Sequence, residues 1–197
     1  MKKIIVLGLS AALLAVLASC GSNPEYSSSS SSSSAQETSQ TKASDTTDTD
    51  FKVSVDDAIE AYQEAYPDSE ITSIDLETSL GKYLYKIEGV DDDKEYELRV
   101  DANTKAVSKE REENLDTEDQ AGVKRTEDKL DLQDLLSIKQ VSDIAEEHVG
   151  DGKATDWSLD KEDGTTYWEI KVTNGNEETE VKIDAKTGEV LETDVDD

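Results

Sequence analysis

The chain repeats itself. Moved along its own length by 83 residues, the sequence superposes Asp101-Ala102-Asn103-Thr104 on Asp184-Ala185-Lys186-Thr187. Without gaps, Leu76 then falls on Leu159, Gly81 on Gly164, Tyr85 on Trp168, Ile87 on Ile170 and Leu98 on Val181. Self-similarity at a fixed spacing means that one structural unit is built twice. Each unit has only about 60 residues with which to close a core, which is marginal for independent stability, so the two copies are expected to lean on each other.

Each copy opens with a helix signature. Ser54 with Asp57, and Ser137 with Gln140, have the spacing of an N-cap and its N3 partner, and Val53 with Ala58 and Leu136 with Val141 fit a hydrophobic staple around them. Apolar residues then recur at helical spacing through Ala65 in the first copy and Val149 in the second, with Pro67 and Gly150 marking the stops. Beyond each helix the period changes to two. Ile74 and Leu76, then Tyr83, Tyr85 and Ile87, then Tyr96, Leu98 and Val100 alternate with polar residues. Trp157 and Leu159, then Trp168, Ile170 and Val172, then Thr179, Val181 and Ile183 do the same. Such alternation marks half-buried strands, and the turn residues between them make the strands antiparallel. A short last strand is expected at Val190 and Leu191. Where the second copy turns on Gly188 the first has Lys105, so that turn is expected to be strained or differently shaped. The fold class is therefore α+β: two repeats, each one amphipathic helix packed on a small antiparallel meander sheet.

The N-terminus is of another kind. Lys2 and Lys3 precede an apolar run from Ile4 to Val16, which reads as a secretory signal and is too short to span a bilayer comfortably. It ends at Leu17-Ala18-Ser19-Cys20-Gly21, around the chain's single cysteine. This stretch resembles the lipobox of bacterial lipoproteins, which implies cleavage before Cys20, lipidation of its thiol and a palmitate-type membrane anchor on the extracytoplasmic face of the cell membrane. Two acyl chains hold a protein stably where one does not. The alternative is an ordinary secreted protein whose signal peptide contains a cysteine. Residues 20–50, including an unbroken serine run from Ser27 to Ser34, have too few apolar residues to offset their ordering entropy and are expected to form a disordered leash with a typical reach of roughly 30 Å. The organisation expected is a signal peptide at 1–19, lipidated cysteine and linker at 20–50, the first repeat at 51–110, a charged linker at 111–133 and the second repeat at 134–197. The charged linker is able to dock partly as a helix near Leu130, Leu132 and Leu135.

Charge and chemistry narrow the function. With 48 acidic and 20 basic residues the net charge is −28, which speaks against a nucleic-acid partner. A solvated, repulsive surface accounts for the acidity, and an acidic cell-surface structural or divalent-cation-associating protein is the alternative reading. One histidine, His148, excludes the usual histidine metal clusters, and as a residue near a helix C-terminus it carries no catalytic expectation. The acidic runs do not fit a calcium loop: around Gly164 the first, third and twelfth positions would be Leu159, Lys161 and Ile170. No metal site, cofactor or catalytic residue is expected, and the chain reads as a non-enzyme. Leu84 and Tyr167 fall on the face opposite the core aromatics Tyr85 and Trp168, and are the residues expected to contact a partner or the other repeat.

The helix entered through a serine cap, the Tyr/Trp-bearing strand and a hairpin written Val-Asp-Ala-x-Thr-x-x-Val, here Val100 to Val107 and with Ile183 at the head of Ile183 to Val190, resemble the PepSY domain. The resemblance covers both repeats. PepSY domains occur in propeptides of thermolysin-type metallopeptidases and in bacterial membrane and cell-surface proteins, so the resemblance implies a binding or regulatory module that modulates or inhibits an extracellular peptidase. Lacking a peptidase domain of its own, this chain would act in trans on that peptidase or on another cell-surface protein.

Overall fold

A computed structural model of the chain describes residues 51–196. Cys20, the signal segment and the serine-rich leash therefore lie outside the described residues.

The first repeat begins with helix α1 (Val55–Ala65), followed by strands β1 (Glu70–Ser79), β2 (Lys82–Val90), β3 (Lys94–Asp101) and β4 (Val107–Asn114). A short helix, α2 (Val123–Asp128), lies in the connecting segment. Helix α3 (Ile138–Val149) then leads into β5 (Lys153–Glu162), β6 (Thr165–Asn174), β7 (Glu177–Asp184) and β8 (Val190–Asp196). Both long helices start on the capping boxes the sequence announces: Ser54 accepts from the Asp57 amide and Ser137 from the Gln140 amide, and both reciprocal bonds are present. Each box satisfies amides that the first helical turn leaves without partners.

The eight strands form one sheet in the order β4-β3-β2-β1-β5-β6-β7-β8, antiparallel throughout. The repeats join edge to edge through β1 and β5, where Ile74 lies opposite Leu159, Asp75 opposite Ser158 and Leu76 opposite Trp157. Positions 75 and 158 are equivalent in the two repeats, so the seam has the reciprocal pairing of a two-fold dimer interface inside one chain. Two marginal units thereby share one continuous core.

That core lies between the sheet and the two long helices. Ile74, Leu76, Tyr85, Ile87, Leu98 and Val100 of the first repeat, and Trp157, Leu159, Trp168, Ile170, Val181 and Ile183 of the second, are fully or almost fully buried. Helix α1 packs on β2 and β3 through Ala58, Ile59 and Tyr62, and α3 on β5, β6 and β7 through Val141 and Ala145. Each large aliphatic buried this way is worth about 1.5–3 kcal/mol. Two of the buried polar side chains in this layer find partners: Tyr85 Oη donates to Val53 O at 2.9 Å, and Trp157 Nε1 donates to Ser142 Oγ at 2.8 Å, which in turn donates to Ile138 O at 2.7 Å, whereas the buried Trp168 Nε1 has none.

Two local features differ from the sequence reading, and a third, the Lys105 turn, takes the strained form of the two expected. The helical turn of the connecting segment is at Val123–Asp128, before Leu130, and is entered through Gly122 at φ 77 with no side-chain cap. Leu130 instead docks in extended form, its amide donating to Ile71 O at 3.0 Å. The last strand runs on to Asp196, well past Leu191. At Lys105 the backbone takes φ 58, close to the φ 76 of Gly188, so the turn keeps its shape and carries strain instead of changing course. Lys105 Nζ meets Asp57 at 3.0 Å and Glu60 at 3.3 Å, tying the turn to α1.

Candidate functional site

Because side chains alternate along a strand, the face that carries the core residues leaves an opposite face bearing every second residue. No long helix covers that outer face. At its centre one row crosses all eight strands: Ser108, Arg99, Lys86, Asp75, Ser158, Glu169, Lys182 and Glu192, each registered on its neighbour. Charges of both signs interleave along it. Lys86 reaches Glu88 at 3.0 Å and Asp75 at 3.6 Å, and Lys182 reaches Glu192 at 3.2 Å and Glu162 at 3.5 Å.

The seam residues anchor this row. Ser158 Oγ contacts both Asp75 Oδ1 at 2.5 Å and Asp160 Oδ2 at 3.0 Å. Burial raises the Asp160 carboxyl above its ordinary value, an effect the Ser158 hydroxyl opposes and the nearby Asp75 and Glu88 reinforce. Glu169 is raised for the same first reason, burial, with Glu180 adding to it. Lys86 and Lys182 are both raised: burial disfavours their charge, and the carboxylates around them outweigh it. The outer face is thus a dense, partly shielded charge lattice whose acids are not all neutralised.

Leu84 and Tyr167 both lie on this face, half-buried and at equivalent positions, on either side of the seam. The structure does not bring them together. Leu84 pairs in register with Glu77 and Asp101, and Tyr167 with Asp160 and Asp184 while Lys182 Nζ sits 5.2 Å from its ring centre. The repeats meet through β1 and β5, so neither residue serves as the inter-repeat contact. Leu84 borders a shallow apolar depression of about 380 Å³ with Leu80 and Val107. Leu80 is fully exposed at the tip of the β1–β2 turn with φ 50. The seam cluster of Asp75, Ser158 and Asp160 escaped the sequence reading, although the offset that relates the repeats is the one that separates Asp75 from Ser158.

His148 is exposed at the end of α3, its Nε2 3.0 Å from Thr193 Oγ1, and it touches none of the outer face. Among the described residues no group of three or more His, Cys, Asp or Glu side chains is arranged to hold a metal ion, and no helix is long and apolar enough to cross a membrane.

The family described as peptidase propeptide and YPEB domain, PepSY, matches twice, at residues 52–111 and 135–194. The chain belongs to the PepSY family. Its two PepSY domains are in tandem, and each supplies one helix and four strands to the shared sheet. A crystal structure of a "putative lipoprotein" from Clostridium difficile 630 has the same fold, with a TM-score of 0.71 and 40% sequence identity over 75% of this chain and 95% of that one. No curated protein matches. PepSY domains are of a propeptide or regulatory type, and the tandem pair described above fits a non-enzymatic extracellular module.

Proposed function

We propose that this PepSY pair is a lipoprotein anchored through Cys20 on the extracytoplasmic face of the cell membrane, where it binds a secreted or membrane peptidase in trans and restrains it. The observation that carries this reading is the outer face of the eight-stranded sheet, a broad polar and charged surface that spans both repeats and is covered by neither long helix, with the short α2 resting against β1 and β2. Its two half-buried hydrophobic side chains, Leu84 and Tyr167, are the proposed contact points. The PepSY propeptide relationship supports a peptidase as partner, and the Clostridium difficile relative supports the lipid anchor.

Titrating the purified chain against a panel of secreted metallopeptidases tests the reading. Dose-dependent loss of cleavage of a peptide substrate, weakened by Leu84→Asp or Tyr167→Asp, is expected. Activity unchanged across the panel at large molar excess contradicts it. For the anchor, Cys20→Ser is expected to move the protein from the membrane fraction to the medium, and wild-type protein found unlipidated by mass spectrometry contradicts that part.

A further inference from the structure

The turn between β1 and β2 carries a residue that neither water nor the turn favours. Ser79 pairs with Lys82, leaving Leu80 and Gly81 as a two-residue loop with both residues at positive φ, 50 and 77. Such a loop selects Asn-Gly or Asp-Gly, because a Cβ is strained in the left-handed region and a short polar side chain offsets the strain. Its mate in the second repeat obeys that rule: Asp163 and Gly164 take φ 50 and 84 between the paired Glu162 and Thr165. The first repeat holds a leucine there instead, fully exposed, beside the apolar depression it shares with Leu84 and Val107. A leucine that is both strained and solvated points to something outside the fold that covers it.

Its place in the fold says what that is. Strands β1 and β5 run antiparallel at the seam, so the turns that follow them lie at opposite ends of the sheet. Leu80 is at one end, and the exposed Glu162 and Asp163 are at the other. The segment leading from Cys20 joins the described structure at the leucine end: Phe51 packs on Tyr83, next to the pair that closes the turn, with ring centres 4.9 Å apart. Lys52 is exposed beside it, and Lys82 is exposed too, its ion pair with Asp101 stretched to 3.9 Å. Around the depression Lys82 and Arg99 balance Asp101 and Glu110, which makes a locally neutral corner on a chain of net charge −28.

We infer that the Leu80 turn is a lipid-contacting tip: the leucine enters the membrane surface to which the chain is tethered, Lys52 and Lys82 face the headgroup phosphates, and the acidic turn at Asp163 points away. This rests on the anchoring reading above and adds an orientation to it. One leucine buries too little apolar surface to hold a free protein on a bilayer, but a tether supplies the local concentration at which a weak contact becomes populated. Tyr167, towards the acidic end of the sheet, stays open to the protein partner.

The chain from Cys20 onward contains every described residue, and its single thiol can be coupled to maleimide-bearing lipid in nanodiscs of phosphatidylcholine and phosphatidylglycerol, so the test does not depend on lipidation by the cell. A nitroxide near the top of the lipid acyl chain then broadens the amide signals of residues that touch the bilayer. Loss of the Leu80 and Gly81 signals is expected, with those of Asp163 and Gly164 retained. Leu80→Asp, which follows the second repeat's own turn and so keeps the hairpin, is expected to restore the lost signals. Broadening that persists in Leu80→Asp would come from the tether alone and overturns the inference, as do equal loss at both turns and no loss at either. Broadening unchanged by Leu80→Asp together with lost peptidase restraint would assign the tip to the protein partner instead. Mass spectrometry of the protein from cells reads natural lipidation separately, so a failed anchor and a failed tip are told apart.

Discussion

Ser158 donates its hydroxyl to Asp75 Oδ1 at 2.5 Å, and each of these residues occupies in its own repeat the place the other occupies in the second. The contact lies on the outer side of a seam only three registered pairs long, while on the inner side Ile74, Leu76, Trp157 and Leu159 are fused into one core. A continuous core predicts that the two PepSY domains unfold together. Leu159→Ala is expected to cost about 2–5 kcal/mol and to shift a single calorimetric transition. Two transitions, of which only one moves, would show that the repeats are stable separately.

Gly89 of β2 lies against the side chain of Tyr62 on α1. A Cβ placed there would lie 2.2 Å from Tyr62 Oη and 2.6 Å from the Glu70 carbonyl oxygen. Tyr62 is fully buried, with its hydroxyl accepting from Ser69 at 3.0 Å and burial pushing its pKa up to about 12. Gly89→Ala should therefore destabilise by about 1–3 kcal/mol or more, because the backbone carbonyl cannot yield. Urea denaturation measures this, and an unchanged midpoint would mean that Tyr62 swings clear at no cost.

Lys105 holds a left-handed conformation that glycine adopts without penalty at the equivalent Gly188. Relieving it competes with loss of the ion pairs to Asp57 and Glu60, which are solvent-exposed and worth little. Lys105→Gly is expected to raise stability by about 0.5–1 kcal/mol. A loss of stability would show that the link to α1 outweighs the strain.

Two carboxylates should respond to pH in opposite directions. Asp57 is lowered to about 2, first by the Ser54 hydroxyl and then by Lys105, so its stabilisation is present above the ordinary value of 3.8 and fades as pH falls towards 2. Asp57→Asn should lower the melting temperature at pH 7 and make little difference near pH 2. Asp160 is raised, chiefly by burial, so its ionisation destabilises the folded state above its folded pKa and the penalty disappears in acid. Asp160→Asn should raise the melting temperature at pH 7 and lose that advantage as pH drops below about 3.8. Parallel pH profiles for wild type and either variant would contradict the assignment.

Much of the fold is legible in the sequence because local chemistry writes it there. The Ser54 and Ser137 boxes fix where α1 and α3 begin, and alternation from Ile74 to Val100 and from Trp157 to Ile183 fixes which face is buried. The α+β class and the tandem PepSY repeats follow from those signals. A partial helix in the linker near Leu130 is legible but the place of α2 is not, since Gly122 supplies no capping oxygen and none of its residues is buried. The extension of β8 along Glu192-Thr193-Asp194 reads as polar tail, because an edge strand needs no apolar stripe to pair with β7. The seam leaves no local signature either: Ile74 and Leu159 would be apolar whether β1 ended at an open edge or met β5. Leu84 and Tyr167 are outward by alternation alone, whereas the charge lattice between them depends on β1 meeting β5, which only the assembled sheet reveals.

The proposed role stands or falls on whether the outer face meets a protein at the cell surface. A photo-crosslinking amino acid placed at Tyr167, at Leu84 and, as reference, at Glu147 on the exposed side of α3 would be activated in intact cells. Adducts to a peptidase from the two sheet positions, and none from the helix position, are the predicted result. Equal adducts from all three positions, or none from the sheet positions, would contradict a partner docked on that face.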